Sequence, residues 1–478
     1  MSEPAPPQPV TPSALVEFMS ANWATTPIIV DGPAAGAPYA ARRRAAVSAR
    51  FPDDWLVVPS GTPKVRANDT DYRFRAATDF AWLTATTVHE PDAVLVVAPG
   101  GGATLYTGPR ADRSTPAFFS DRRYGELWVG PRFGVDETGE LLAIDTAPIG
   151  ELASALKAAE GAQVRVVRGY DPGVDALVEG DADGDAELLS ALSELRLIKD
   201  DHEVACLSEA IASTILGFED VVRALPEASE YSERWVEGTF NRRARTEGND
   251  VGYDTIAACG HHACTLHWTR NDGPVRAGDL LLLDAGVEGP ELYTADVTRT
   301  VPISGRFSAA QREVYEVVWR AQQAAFAVCR PGEPFMAPHR AAMRVITEWL
   351  VSAGILRCSV EEALDTDHRF NVRYTLHGTS HMLGLDVHDC ANARDDYRDL
   401  ALAPGMVLTV EPGCYLQPDD LTVPPEYRGI GVRIEDDVLI TADGLQILSA
   451  ALPTAADDVE AWMAGLLGGL AGLGGHAG

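Results

Sequence analysis

GDLLLLDAGVEGPELYTADVTRTVPI, Gly278 to Ile303, reads as two apolar arms around a Gly-Pro turn, the pattern of an antiparallel hairpin. On a strand Leu280, Leu282 and Asp284 share one face, so the Asp284 carboxylate points where leucines point. That is costly unless something compensates the charge. Asp296 ends the turn of the same hairpin, and Glu411 in VLTVEPG and Glu435 in GVRIEDD repeat the pattern of an acid set in an apolar strand. Each alone reads as a cap, a turn residue or the partner of an arginine such as Arg299 or Arg433. Local spacing does not separate Glu435 from Asp436 or Asp437.

Four such acids in one region ask for one explanation. Two carboxylates about 4 Å apart at an effective dielectric near 20 repel by roughly 4 kcal/mol. Either some are protonated or cations lie among them. Two divalent ions would cancel four carboxylate charges and use the acids as terminal and bridging ligands, with one neutral histidine completing the set. HGTSHMLGLDVHD, His377 to Asp389, is the obvious source. By spacing alone His377 and His381 would share a helix face and form a metal pair.

Around these motifs the chain reads as two domains. Residues 1–25 form a proline-rich leader without fixed structure, 26–185 a smaller mixed α/β domain, 186–455 an α+β domain and 456–478 a tail whose glycine-rich end opposes ordering. In the first domain YAARRRAAVSARF reads as a helix, and WLVVPS, FAWLTAT and AVLVVAP as strands. DPGVDALVEGDADGD, Asp171 to Asp185, has the composition of a linker, and AELLSALSELRLI after it carries helical periodicity. In the second domain a helix starts at Ser308 with a capping box, another runs from about Pro338 to Ser352 and stops at Gly354, and PGMVLTVEPGCYL pairs with GIGVRIEDDVLIT. Helices over antiparallel strands make an α+β fold.

Seventy acidic against thirty-nine basic residues, a formal charge of -31, argue against nucleic acid and anionic membranes as partners. No apolar run reaches the length of a membrane span. Seven cysteines without a CxxC pair do not make a disulfide framework, and with no secretory signature at the N-terminus a cytoplasmic location is expected.

LLDAGVEGPELYTADVTRTVP, HGTSHMLGLDVHD, LTVEPGCYL and GVRIEDD, in this order, resemble the pita-bread metallopeptidases, most closely the bacterial Xaa-Pro aminopeptidases. YRFRAATDFAWLTATTVHEPDAVLVV and GELWVGPRFG resemble that family's N-terminal domain. The resemblance implies a C-terminal pita-bread catalytic domain and an exopeptidase that cleaves between a first residue and a following proline, with a water activated between two divalent ions. Its metal ligands fall on Asp284, Asp296, His381, Glu411 and Glu435, which selects Glu435 from the acidic run and separates His381 from His377. Glu411 is also implied as the proton shuttle, His267 and His388 as catalytic hydrogen-bond donors, and His267, His377, His388, Tyr415 and Arg433 as substrate-binding residues. Manganese is the favoured metal, with cobalt or zinc as alternatives. Partners are peptides with proline in second position, and the assembly is a homodimer or homotetramer. A dipeptidase using the same site, and a non-catalytic peptide-binding protein, are the competing readings. There are two departures: the Asp284–Asp296 spacing is one residue longer than usual in the family, and Cys390 stands where valine is common. His261 and His262 read as exposed loop histidines.

Overall fold

The computed structural model describes residues 11–24, 27–393 and 396–471. The chain divides into two compact units, Met1–Leu189 and Ser190–Gly478, with the division inside the Ala182–Arg196 helix.

The first unit is built on a five-stranded sheet in the order Asp145–Pro148, Ala103–Thr107, Val94–Val97, Trp55–Pro59, Val164–Val166. The three central strands pair antiparallel and the two outer ones parallel. WLVVPS and AVLVVAP supply two of these strands, and Ala37–Arg50 is the expected helix. FAWLTAT is not a strand. Thr78–Thr84 is a helix with every residue buried, ended by Ala85 at φ +50°. A segment buried on all sides has no polar face, so its sequence carries no period to distinguish helix from strand. The expected linker is also structured. Asp171 caps a helix Pro172–Leu177 by accepting from the amides of Gly173 and Val174, and buried Asp185 accepts from Val166 N at 2.7 Å. Asp171 and Asp185, acids that suggested solvation, are a cap and an anchor.

In the second unit Leu280–Ala285 pairs antiparallel with Val297–Pro302, placing Asp284 opposite Thr298, and Ile256–Cys259 flanks it on the other edge. Leu281, Leu283 and Ala285 join a large core with helix residues such as Phe218, Val314 and Ile346. Leu282 packs with Ile256, Ala258 and Tyr415 on the opposite face, the one Asp284 shares. Beyond Ala285 the arm leaves the hairpin, and Val287–Glu288 pairs with Asp250–Val251.

The second strand pair forms two short ladders, Val407–Val410 with Asp436–Ile440 and Gly413–Tyr415 with Gly431–Arg433. The break falls at Glu411-Pro412 on one chain segment and Ile434-Glu435 on the other. Pro412 has no amide proton to offer a ladder, and both acids sit where strand pairing lapses. A bridge between Thr298 and Glu435 joins this sheet to the hairpin. The Ala309–Val328 helix starts with the Ser308–Gln311 capping box, and Ala337–Ser352 is followed by Gly354 at φ +71°.

Of the expected leader, residues 1–10 and 25 lie outside the described residues, while Ser13–Ser20 is helical. Of the tail, 472–478 lie outside them. Ala456–Ala471 is a helix whose Val459 and Met463 are buried in the core, so tertiary burial offsets the entropy its glycines lose.

Candidate metal centre

Asp284, Asp296, His267, His377, His381, His388, Glu411, Arg433 and Glu435 all line one cavity of about 800 Å³ within the second unit. Tyr415 lies behind it, reaching His377 and Arg433 with its hydroxyl. HGTSHMLGLDVHD has no helix. His377 and His381 therefore do not share a helical face, and the segment runs as a loop along one wall.

The acids come together because one strand and three strand ends or breaks meet at one point. Asp284 points from one arm of the hairpin, Asp296 lies just beyond the other, and Glu411 and Glu435 enter at the two ladder breaks. The Tyr253 hydroxyl lies 2.7 Å from Asp284 Oδ1 and 2.5 Å from Asp296 Oδ1. It has one proton for two carboxylates, so the second contact needs another proton or a cation. Glu435 Oε2 accepts from Thr298 Oγ1 at 2.6 Å. The His381 Nδ1 donates to Met382 O at 3.1 Å, which turns Nε2 toward Asp296 Oδ2 at 3.2 Å and Glu411 Oε1 at 3.5 Å. Donor atoms of Asp296, His381 and Glu435 lie within 4.8 Å of one another.

Charge is poorly balanced in this cluster. Arg433 Nη2 donates to Asp284 Oδ2 at 2.5 Å, and its other nitrogens go to Tyr415 and Thr298. One guanidinium faces four acids, and buried Asp437 adds a fifth carboxylate by accepting from Asp296 N at 3.0 Å. Burial and the neighbouring Asp284 and Glu411 charges push Asp296 up to about 6 despite its contact with His381. Burial, then Asp296, Glu411 and Asp284, drive Glu435 well above the usual carboxylate range. Burial opposes a charged His381, yet Asp296 and Glu411 raise it to about 9. Burial would raise Glu411 as well, but His377, His381 and Arg433 hold it down to about 2. Burial and the adjacent His381 lower His388.

Burial and carboxylates crowded without enough positive charge together raise Asp296 and Glu435, and the same carboxylates raise His381. A divalent cation among the carboxylates would remove the repulsion and take the place of the proton on His381 Nε2. An oxygen-rich set with one imidazole suits a hard divalent ion, so the residues fit such a metal.

Some participants had no signal in the sequence. Tyr253 lies in a loop outside the motifs that carry the acids. Asp437 was indistinguishable from its neighbours. Glu233, fully buried, accepts from Cys259 N, His262 Nδ1, Trp268 Nε1 and Gly273 N at 2.7–2.8 Å and fixes the loop that carries His267. His262 is accordingly not an exposed loop histidine: it is half-buried and stacks on Trp268 at 3.9 Å, whereas His261 is exposed. Cys390 is buried 4.0 Å from Lys199 Nζ and lies behind the loop rather than in the cavity.

The pattern of metallopeptidase family M24 matches residues 205–442, and that of the aminopeptidase P N-terminal domain matches residues 39–167. The chain is 54% identical over 460 residues to Xaa-Pro aminopeptidase 1 of Streptomyces coelicolor, covering 95% of this chain and 92% of that one. It is 50% identical over 463 residues to Xaa-Pro aminopeptidase 2 of the same organism, covering 96% and 98%. Its fold superposes on aminopeptidase PepP of Pseudomonas aeruginosa with a TM-score of 0.79 at 32% identity, over 90% of this chain and 98% of that one. Similarity of this extent runs through both units and the whole acidic cavity, and the chain belongs to the Xaa-Pro aminopeptidases of metallopeptidase family M24.

Proposed function

We propose that this protein removes the N-terminal residue from peptides with proline in second position, using two divalent ions held by Asp284, Asp296, His381, Glu411 and Glu435. The observation that carries the reading is the convergence of four carboxylates around the His381 imidazole in a single cavity, with Arg433 the guanidinium that reaches them. Manganese is the metal proposed, on the oxygen-rich donor set, with cobalt or zinc able to substitute. Bound there, the ions supply Lewis acidity that lowers the pKa of an attacking water.

The protein's own residues do the rest. Glu411, held ionised by His377, takes the proton of the attacking water and delivers it to the departing proline nitrogen. His388 lies against His381 with ring centroids 4.4 Å apart, and burial disfavours its charged form. As a neutral imidazole, it and His267 donate hydrogen bonds to the carbonyl oxygen as charge develops there. Asp284 is oriented by Arg433, and Asp296 by the Asp437 carboxylate that receives its amide. His377, Tyr415 and Arg433 form the wall against which the peptide lies. A proline after the scissile bond offers no N–H for strand-like recognition, so a shaped cavity replaces that contact.

The test is to load the purified full chain with manganese and assay Arg-Pro-Pro beside Ala-Pro. Release of arginine from the tripeptide, lost on exhaustive chelation and restored by manganese, is the expected result. Cleavage of Ala-Pro alone would make the protein a dipeptidase, and inertness on both would leave a peptide-binding protein.

Free thiols at all seven cysteines fit a reducing cytoplasm, where we place the protein. Leu127, Trp128 and Val129 present adjacent exposed apolar side chains, which supports self-association into a dimer or tetramer, checked by sedimentation.

A further inference from the structure

A second group of side chains has the composition of a metal site and no part in the chemistry above. His202 and Cys206 stand four residues apart in the first turns of the Asp201–Ala228 helix and project from one face. Glu291 meets them from the turn that joins the Asp284 and Asp296 strands. His202 Nε2 lies 2.7 Å from Glu291 Oε2 and 3.6 Å from Cys206 Sγ, and all three donor atoms fall within 4.8 Å of one another. All three residues are half-buried.

The backbone bends to bring Glu291 there. Leu292 adopts φ +70° with its side chain fully buried, a left-handed conformation that costs a leucine free energy. Gly289 N donates to Tyr293 O, and Leu292 N to Gly289 O, both at 2.9 Å, closing the turn. The helix start carries Asp200 as its cap and Asp201 and Glu203 in its first turn, negative charges that oppose the positive end of the helix dipole.

Thiolate, imidazole and carboxylate together are zinc ligands, with bonds of about 2.3, 2.0 and 2.0–2.2 Å, and a tetrahedron of those bonds has edges of roughly 3.3–3.6 Å. The Sγ–Nε2 separation of 3.6 Å already matches such an edge. The Glu291–His202 contact, at 2.7 Å, opens by roughly 0.6–0.7 Å to match another. The sulfur also makes this set softer than the oxygen-rich cluster in the cavity. We infer that His202, Cys206 and Glu291 bind a zinc ion, with a fourth position for water, and that the ion pins the turn between Asp284 and Asp296 to the start of the helix. On binding, Cys206 releases its proton to solvent and ligates as thiolate.

Cobalt is the probe that separates this site from the other, because among the described residues no cysteine lines the catalytic cavity. Titrating reduced, metal-free full chain with Co(II) is expected to give a thiolate-to-cobalt charge-transfer band that zinc abolishes. Cys206→Ser should lose the band, while Cys358→Ser, at the other half-buried cysteine, keeps it. His202→Ala and Glu291→Ala should each weaken cobalt binding by at least the roughly tenfold that loss of even an outer-shell partner costs. Zinc should slow amide exchange at 289–293 in the wild type and not in Cys206→Ser, with the manganese-supported activity of that variant unchanged. Absence of the band in the wild type, its survival in Cys206→Ser, or binding indifferent to both alanine variants would overturn the site and leave the proposed peptidase chemistry untouched.

Discussion

The acids of Glu435-Asp436-Asp437 are adjacent in sequence and sit in opposite electrostatic worlds. On one face Asp436 is fully compensated: Arg299 Nη2 donates to it at 2.7 Å, Ser449 Oγ at 2.6 Å and Gln322 Nε2 at 2.8 Å. On the other, Glu435 and Asp437 turn toward Asp296, and burial with mutual repulsion raises both well above the usual range. The difference separates acids that hold the fold from acids that wait for something the polypeptide does not supply. The first kind has its countercharge built in. The second kind makes the protein less stable by itself and able to bind cations.

The contrast yields opposite expectations on its two faces. Asp296→Asn removes a proposed ligand and one repulsive charge, so kcat/KM on Arg-Pro-Pro should fall about 10³-fold, the rate equivalent of several kcal/mol of lost charge stabilisation. The melting temperature of the metal-free protein should hold or rise. A metal-free variant that melts well below the wild type would show that the cluster is not strained. Asp436→Asn should do the reverse, lowering the unfolding free energy by about 3–5 kcal/mol because buried Arg299 loses its counterion. The folded fraction should keep its metal and its activity. Denaturant titration and metal analysis on the two variants test the crossing directly.

Much of this was legible beforehand because an acid inside an apolar segment stands out: Asp284 lies on a strand face as the pattern implies, while Glu411 and Glu435 lie at breaks between strands rather than on them. The helix caps at Ser308 and Gly354 were legible for a similar reason, since both satisfy end groups through local chemistry. What stayed hidden depends on the third dimension. FAWLTAT is buried all round and has no period. The phase of the Glu435-Asp436-Asp437 run depends on where a bridge to Thr298 pins it, which local spacing does not carry. Tyr253 is a loop residue whose role comes from two carboxylates 31 and 43 residues away.

The same contrast should appear in the pH dependence of the metal-free protein. Asp296 is raised to about 6 in the folded state from an ordinary value near 4, so the folded protein holds more protons and stability falls as pH rises across that interval. His381, raised to about 9, adds stability that is complete below its unfolded value near 6.5 and is lost as pH climbs to about 9. Glu411, lowered to about 2, acts the other way and loses its contribution only as pH falls from about 4.5 toward 2. Melting temperatures in chelator should therefore decline from about pH 4 to 9. Stabilisation by added manganese should grow over the same range, because ions displace protons from their ligands. A flat profile in chelator would mean the acids are neutralised by something else.

The smallest effect concerns the wall that keeps Glu411 ionised. Arg433 Nη1 donates to the Tyr415 oxygen at 2.8 Å, so the hydroxyl proton goes to His377 Nε2 at 2.7 Å, and the imidazole carries its own proton on Nδ1. That proton faces Gly378 O at 2.7 Å and Glu411 Oε2 at 3.3 Å. Tyr415→Phe leaves Arg433 with Asp284 and Thr298 but frees the His377 tautomer. Unfolding free energy should drop by only about 1 kcal/mol, the net value of one hydrogen bond. Activity should fall by about tenfold, equivalent to roughly 1.4 kcal/mol, mainly in kcat if the proton transfer proposed for Glu411 is what suffers. An unchanged kcat with a raised KM would instead make Tyr415 a substrate contact alone, and the polarisation of Glu411 by His377 would then owe nothing to the hydroxyl behind it.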